Sequence, residues 1–441
     1  MKKTLILLTC VSTLALASSN EELQLQIESL KKEMATMKAD NEEQGDILLE
    51  EVSSLKDSIF APLDNYEEFS SMGAAASKVY HSKGDVSIGG YGEYKYKKYT
   101  NFKNYSSDSA NETRKKGEYN IVRFVPYIGF KFNDWIVMNT EIEFEDGGAR
   151  SDNSKNYKYA IVEFSYLDFL FDSAYALRVG HLLVPMGLIN LNHEPVAYLT
   201  TDRPMVETFI IPSTWHTNGA LMHGKIDDFE YYGGIVTSPD AGGFIEGRFV
   251  QQGRLGARQF TDDLSFVARG QYAFGDGIDI GASAYYGNSS ILEESKPGTP
   301  TGHSGDASIT ITMAEIHATY KNHGFDIRAL AVMGALGGDV DELGVPSDVN
   351  GQYLTLAYDI LHSFSSTHQL YGVYDIERLD MDASGESSYP DNNRFYQYSF
   401  GLAYFPDPKV TIKADFAIKD YASNSKLADE SAFTLAAGFI F

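Results

Sequence analysis

Between residues 120 and 146 the chain reads NIVRFVPYIGFKFNDWIVMNTEIEFED. After Asn133-Asp134 the apolar side chains fall on one face: Ile136, Met138, Ile142 and Phe144. The other face carries acidic side chains: Glu141, Glu143 and Glu145. An alternation of period two is typical of a β-strand whose two faces meet different surroundings. The stretch therefore predicts two antiparallel strands joined by a tight turn.

The same alternation continues from residue 84 to residue 441. Short polar turns are predicted at seven places, near residues 133, 172, 227, 276, 323, 364 and 407. Long polar loops are predicted between them, at 101–116, 147–156, 185–216, 239–261, 289–307, 338–349, 378–393 and 421–430. Short and long connections that alternate in this way are typical of bacterial outer-membrane barrels. The sequence predicts an all-β fold, a 16-stranded antiparallel transmembrane β-barrel over residues 84–441, with an N-terminal α-helical coiled coil.

Charged side chains collect on one face of the predicted strands. The residues assigned to the lumen wall include Arg123, Lys131, Glu141, Glu143 and Glu145. The opposite face is apolar, and no helical segment remains in this part of the chain to cover it. A basic side chain on a lipid-facing wall costs about 2–4 kcal/mol near the bilayer midplane, and an acidic one somewhat less. Lipid is therefore the predicted cover of the apolar face, and water that of the charged face.

The first 83 residues follow other patterns. Residues 1–17 combine Lys2 and Lys3 with an apolar stretch and the small-residue site Ala15-Leu16-Ala17, which is typical of a signal peptide. Residues 61–83 show no strand pattern and are predicted to be a linker, since Pro62 ends the preceding helix.

Residues 18–60 are predicted to form a coiled-coil segment. The apolar seam follows heptad spacing and consists of Leu23, Ile27, Leu30, Met34 and Met37. So narrow a stripe needs partner helices to bury it. A lone amphipathic tether that lies against another surface is the other interpretation.

Composition excludes several classes of function. The net charge of -25 argues against nucleic acid as a partner. The one cysteine, Cys10, lies in the predicted signal peptide, so no thiol chemistry is expected in the mature chain. No nucleophile elbow or HExxH motif occurs, and neither an enzyme nor a cofactor or metal is expected. The glutamates at 141, 143 and 145, with Asp146, have oxygen ligands for a divalent cation, but a solvated lumen wall is the favoured interpretation.

A more specific resemblance rests on Leu177-Arg178-Val179-Gly180-His181 followed by Val184-Pro185-Met186-Gly187. With the coiled coil, the sixteen strands and the terminal Phe441, this stretch resembles the phosphate-selective porin O/P family. The resemblance implies a homotrimer in the outer membrane of a Gram-negative bacterium, with one pore per subunit. It also implies that the helical segment trimerises in the periplasm and that Phe441 is read by the barrel-assembly machinery.

The long loop 185–216 is the candidate constriction of such a pore. Its predicted selectivity residues are Arg203, His193, Glu194 and Glu207, with Arg178 on the nearby wall. A proline-stiffened loop folded inward would filter solutes by its charges, whereas an outward loop would be ordinary surface or grip a neighbouring subunit. The predicted cargo is a small hydrophilic solute or an inorganic anion, such as phosphate or a small carboxylate. A general or cation-preferring pore and a structural or adhesive barrel are the alternatives.

Overall fold

The chain divides into two compact units, Met1–Ala61 and Pro62–Phe441. A computed structural model describes residues 20–59, 68–101, 116–147, 160–259, 261–291, 307–365, 367–381, 393–423, 425 and 429–441. The predicted signal peptide at 1–17 lies outside these residues, as does the start of the predicted linker.

The first unit contains one long helix, α1, which spans Asn20–Ile59. Four residues of the predicted seam are exposed along it: Ile27, Leu30, Met34 and Met37. The side chain of Leu23 lies outside the described residues. None of the helices described here is long and apolar enough to cross a bilayer.

The second unit is a closed barrel of sixteen antiparallel strands. The strands are β1 Val86–Asn101, β2 Glu118–Asn133, β3 Ile136–Glu145, β4 Ala160–Leu170, β5 Ala176–Leu183, β6 His216–Ile226, β7 Phe229–Thr237, β8 Leu264–Gly275, β9 Ile278–Ser290, β10 Ser308–Asn322, β11 Phe325–Gly338, β12 Asp348–Asp359, β13 Gln369–Asp380, β14 Arg394–Asp407, β15 Val410–Tyr421 and β16 Glu430–Ile440. Each strand pairs with its neighbours in the chain, and the seven short and eight long connections fall where the sequence predicts them. The predicted fold is therefore confirmed.

The last strand pairs with the first, so the sheet has no free edge. In this seam Tyr91 lies opposite Ile440. Gly90 and Phe441 exchange two backbone hydrogen bonds, of 3.0 and 2.9 Å. The ring of Phe441 also stacks against Phe124, with 6.1 Å between the centroids. A closed sheet satisfies its backbone groups internally, which is the condition for crossing lipid with strands.

The outer surface of the barrel has two apolar bands. Exposed aromatic side chains cluster around the short turns: Phe132, Trp135, Phe171, Tyr175, Phe229, Phe274, Phe325 and Phe364. Exposed aliphatic side chains lie further along the strands: Ile128, Val162, Val179, Ile235, Ile280, Ile316, Met333, Leu402 and Ile412. Aromatic rings are favoured at the membrane–water interface and aliphatic chains in the hydrocarbon. The short-turn end thus carries an aromatic belt.

A short helix, α2 at Ala74–His81, lies inside the barrel where the sequence predicted only a linker. It packs on the inner faces of β1, β2 and β3, with Val79 over Gly129, a position where any side chain would collide with it. Lys131 caps the helix, because its Nζ donates to the carbonyl oxygens of Tyr80 and Ser82 at 3.2 and 2.5 Å. Eight small and mixed residues carry too little periodicity to predict this helix, which packing in the lumen stabilises.

Candidate functional site

The long loop at 184–215 crosses the interior of the barrel. Its polar contacts reach seven strands: β1, β3, β8, β11, β12, β13 and β15. In a closed ring of sixteen, β3 lies opposite β11. A segment that contacts both sides of the ring divides the lumen, which is the placement expected of a pore constriction.

Glu207 fixes one part of this loop. It lies in a single-turn helix, α3 at Val206–Phe209, and is buried. Its Oε2 accepts hydrogen bonds from the backbone N–H groups of Leu188 and Ile189, both at 2.7 Å. Its Oε1 accepts one of 2.6 Å from the hydroxyl of Tyr353 on β12. The structure therefore places Glu207 at a joint between loop and wall, and not in the opening where the sequence analysis put it.

Glu207 contributes to the pH dependence of the stability of the folded chain. Burial raises its pKa to about 7, although the hydrogen bonds of Tyr353, Ile189 and Leu188 act to lower it. The folded chain then binds more protons than the unfolded chain between about pH 4.5 and pH 7, so ionisation costs stability as the pH rises through this window.

We expect Glu207→Gln, which cannot ionise, to become more stable relative to the wild type as the pH rises from 4.5 to 7. The difference between their free energies of unfolding should change across this window and stay constant above it. Urea unfolding in detergent micelles at several pH values measures it. A difference that does not vary with pH would show that Glu207 ionises normally.

Two charged residues of β15 hold the loop backbone at 195–201. Lys413 Nζ donates to the carbonyl oxygens of Pro195, Tyr198 and Thr200 at 2.8, 2.5 and 3.1 Å. The neighbouring inward-facing carboxylate, Asp415, accepts hydrogen bonds of 2.8 Å from the backbone N–H and the hydroxyl of Thr201. These wall charges are satisfied by the loop and act as its supports.

Glu194 joins the loop to helix α2. It is buried, and its carboxylate accepts hydrogen bonds from the backbone N–H groups of Ala75 and Ala76 at 3.2 and 2.9 Å. Such N–H groups at the start of a helix favour a negative partner. Burial nevertheless raises the pKa of Glu194 to about 7. This residue, too, is a structural contact between two segments inside the barrel.

A cavity of about 420 Å³, here called the outer cavity, lies on the long-loop side of the crossing loop. Its basic lining residues are Lys95, Lys97, Arg123, Arg203, Arg248 and Lys419. Its acidic lining residues are Glu93, Asp202 and Glu430. The outer cavity is thus lined by six basic and three acidic groups, an excess of basic side chains in a chain that is strongly acidic as a whole.

Arg203 is the loop residue that brings a guanidinium to this cavity. It is half-buried, and its Nη2 donates to the carbonyl oxygen of His193 at 2.9 Å. Its Nε has no hydrogen-bond partner in the described part of the chain. This Nε is buried, so Arg203 contributes its positive charge to the outer cavity and not this donor.

The adjacent Asp202 bridges two lysines of β1. Its carboxylate lies 2.6 Å from Lys95 Nζ and 3.0 Å from Lys97 Nζ. Burial would raise the pKa of Asp202, but the charges of Lys95 and Lys97 outweigh it and hold the pKa well below its ordinary value. Asp202 thus stays ionised and offsets part of the positive charge of the outer cavity.

A second cavity of about 430 Å³, the inner cavity, lies on the short-turn side of the loop. Its charged lining residues are Glu68, Glu194, Asp279 and Asp326, and Arg269, Lys321 and Arg328. The outer cavity is lined by the loop from Tyr198 onward, and the inner cavity by its earlier part. The loop therefore separates a basic cavity from one that is nearly balanced in charge.

Arg178 does not meet Arg203, although the sequence analysis grouped them. Arg178 is buried on β5, where its Nη2 lies 2.9 Å from Asp168 Oδ2 on β4. The same carboxylate accepts from the hydroxyl of Tyr80 at 2.7 Å and lies 2.8 Å from His223 Nε2. Among the described residues, Arg178 lines neither cavity. It supports helix α2 rather than the constriction.

The other predicted wall residues take different positions. Arg123 lines the outer cavity and lies 3.4 Å from Glu143, while Lys131 caps α2. Glu141 and Glu143 face inward and are buried, and Glu145 is half-buried beside them. His193 is buried against Glu141, with 3.1 Å between its Nε2 and Glu141 Oε1.

Known proteins resemble this chain in sequence and in fold. No family model matches it. An uncharacterized protein of Aquifex aeolicus (strain VF5) is 32% identical over 385 residues, which are 81% of this chain and 80% of that protein.

Two solved structures show where the fold occurs. The outer membrane channel DcaP of Acinetobacter baumannii has a TM-score of 0.53 at 13% identity, covering 81% of this chain and 97% of that one. The anion-selective porin from Comamonas acidovorans has a TM-score of 0.50 at 11% identity, covering 81% and 99%. The chain thus has the 16-stranded barrel fold of outer-membrane porins, and it belongs to the same family as the Aquifex aeolicus protein.

Proposed function

We propose that this chain is an outer-membrane porin, a passive diffusion channel for small hydrophilic solutes with a preference for anions. The observation that carries the proposal is the basic outer cavity beside a loop that crosses the lumen. Selectivity is set where the path is narrow, because field lines focus there and water screens least. Charges elsewhere on the chain are screened beyond about 8–10 Å, so the net charge of -25 does not determine selectivity.

The proposed solute is a small oxyanion, such as phosphate or a small carboxylate. Arg203 lines the outer cavity, and guanidinium groups pair with planar or tetrahedral oxyanions through two hydrogen bonds. Lys97 and Lys419 add ammonium groups further along the cavity, 3.0 Å from Asp202 and 3.4 Å from Glu430 respectively. Pairing of this kind must remain weak, since a tightly held solute would not leave.

Two relationships support the anion preference. The residues at 177–187 resemble the phosphate-selective porin O/P family, and the Comamonas acidovorans protein of the same fold is named as anion-selective. A general or cation-preferring pore is the alternative. It is favoured by the inner cavity, where four acidic residues face three basic ones.

Planar-bilayer recording tests the proposed class of function. Purified, untagged protein at low concentration should produce stepwise increases of current as single channels insert. A barrel with a purely structural, adhesive or enzymatic role would insert without such steps. Absence of steps from protein that migrates as a folded barrel would contradict the proposal.

The second part of the proposal is a homotrimer joined by α1. The apolar seam of this helix is exposed in a single chain, and exposed heptad seams associate. Chains tethered in one assembly present these helices to each other at high effective concentration. Three parallel helices on the periplasmic side would bury the seam.

Deletion of residues 21–59 should weaken the trimer and leave each barrel folded. The reason is that the barrel closes through its own strands, from β1 to β16. Native gel migration and light scattering in mild detergent measure the oligomer, and heat-modified gel mobility measures barrel folding. Full-length protein that is monomeric in mild detergent would contradict the trimer.

A further inference from the structure

Three side chains with metal-binding atoms meet where the crossing loop touches the wall. They are Glu141 on β3, Glu163 on β4 and His193 in the loop, and none of them is more than 2% exposed. His193 Nε2 lies 3.1 Å from Glu141 Oε1 and 3.6 Å from Glu163 Oε2. One ligand atom from each residue falls within 4.8 Å of the other two.

Buried oxygen atoms in this group lack hydrogen-bond partners. Both carboxylate oxygens of Glu163 and Oε2 of Glu141 are unpaired among the described residues. Glu163 is fully buried and points at the other two side chains. A buried carboxylate with no donor is costly unless a cation occupies the space in front of it.

The hydrogen bond made by Nδ1 of His193 indicates which ring nitrogen could bind a cation. Its Nδ1 lies 3.0 Å from the carbonyl oxygen of Asn190, which only accepts hydrogen bonds. Nδ1 therefore carries a hydrogen, and in the neutral ring Nε2 presents a lone pair to the two carboxylates. Metal-binding histidines are usually oriented in this way, with the second ring nitrogen donating to a carbonyl or carboxylate.

The charged side chains around these three residues have a net negative charge, which a divalent cation could balance. The charged groups that interact here are, on the acidic side, Glu93, Glu141, Glu143, Glu145, Asp146, Glu163 and Glu194, and on the basic side Lys95, Arg123, Arg203, Arg254 and Lys413. Seven carboxylates and five basic groups carry two net negative charges when all are ionised. One divalent cation would neutralise them.

We infer that Glu141, Glu163 and His193 bind one divalent first-row transition-metal ion, of which zinc is the best match. Zinc binds imidazole nitrogen and carboxylate oxygen at about 2.0–2.2 Å in tetrahedral sites, which separates ligand atoms by about 3.3–3.6 Å. The distance from His193 Nε2 to Glu163 Oε2, 3.6 Å, is of this size, and the distance to Glu141 Oε1, 3.1 Å, is slightly shorter. Imidazole in the ligand set favours zinc over calcium or magnesium, which prefer oxygen alone.

The bound ion would fasten the loop to β3 and β4. The support at 195–201 and the contact of Glu207 with β12 hold later parts of the loop, and the metal would hold its first part at His193. This site departs from the expectation of a metal-free chain. It is independent of solute selectivity, so failure of either proposal leaves the other standing.

Metal binding by untagged full-length protein tests the inference. After treatment with EDTA and exchange into metal-free buffer, the wild type should take up one zinc ion per chain by calorimetry and elemental analysis. Co²⁺ in place of zinc should give visible ligand-field absorption. Zinc should raise the midpoint of thermal unfolding, and EDTA should reverse the rise.

Glu163→Gln removes a ligand while keeping its shape, and it should weaken zinc binding at least about tenfold. His193→Gln should do the same, and both variants should lose the response of the unfolding midpoint to EDTA. The matched control is Glu315→Gln on β10, a buried carboxylate 2.9 Å from the ring of His317 and outside the ligand set, which should bind zinc like the wild type. Heat-modified gel mobility reports whether each variant is folded.

Three results would overturn the inference. The first is a folded wild type that takes up no zinc. The second is equal zinc binding by Glu163→Gln and His193→Gln, which would place the ion elsewhere. The third is an unfolding midpoint that responds to pH and not to zinc or EDTA, which would mean that the carboxylates share a proton.

Discussion

Replacement of Arg178 with alanine is expected to lower the free energy of unfolding of the barrel by about 3–5 kcal/mol. Arg178 is buried beside Asp168, which has no exposed surface, and the ion pair measures 2.9 Å. Loss of the guanidinium leaves a buried carboxylate whose remaining partners are the hydroxyl of Tyr80 and the ring of His223. Urea unfolding in detergent micelles, followed by tryptophan fluorescence, measures the loss.

Arg203→Ala is the matched control for this experiment. Arg203 is half-buried and donates one hydrogen bond, to a backbone carbonyl, so its loss should cost about 1 kcal/mol. The preference for anions should fall in Arg203→Ala. It should stay unchanged in Arg178→Ala that is folded. Equal losses of stability in the two variants would contradict the different positions that the structure gives these arginines.

The largest functional effect is expected from removal of three cations of the outer cavity together, by Lys97→Gln, Arg203→Gln and Lys419→Gln. The cavity has six basic and three acidic lining residues, so this change balances its charge. One unit charge about 8 Å from an ion in water changes its energy by about 0.5 kcal/mol. Three such changes raise the energy of chloride and lower that of potassium by about 1.5 kcal/mol each, so the permeability ratio of chloride to potassium should fall at least about tenfold.

Asp202→Asn is the variant of opposite sign. Asp202 is held ionised by Lys95 and Lys97, so its neutralisation adds one positive charge to the cavity and should raise the preference for chloride. Lys225 is an exposed lysine next to a short turn, and Lys225→Gln should leave the permeability ratio of chloride to potassium unchanged. If the triple variant keeps the reversal potential of the wild type, the outer cavity does not set selectivity.

The sequence predicted the strands because alternation and turn spacing are local properties. Glu141 and Glu143 on β3 were assigned to the inner face, and Met138 to the outer one, from their parity along the strand alone. Lipid on one side and polar contacts on the other impose that parity on every strand. A one-residue bulge where Glu93 and Tyr94 meet β2 could not be located in this way, because it depends on pairing across strands.

Inside the barrel, the sequence identified the charged residues but not their partners. Parity places Arg178 on the inner face, yet only the fold brings Asp168 and Tyr80 to it. Glu207 and Glu194 were assigned to the opening because they lie in the long loop that was expected to fold inward, and in the structure both accept backbone hydrogen bonds. Their partners lie many residues away or in another segment, and sequence periodicity does not predict contacts of that kind.

Helix α2 was missed for a related reason. Its sequence, AAASKVYH, has small residues that suit close packing but no amphipathic repeat long enough to recognise. The Gly73-Ala74-Ala75-Ala76 run is the signal that could have found it, since small side chains let a helix approach a wall closely. Gly129, opposite Val79, is the matching signal on β2.

The reversal potential of single wild-type channels in a potassium chloride gradient tests the central claim most directly. A porin whose selectivity is set by the outer cavity should show stepwise conductance and a reversal potential on the chloride side of zero. A reversal potential on the potassium side, from channels that are otherwise normal, would contradict an anion preference and support the cation-preferring alternative.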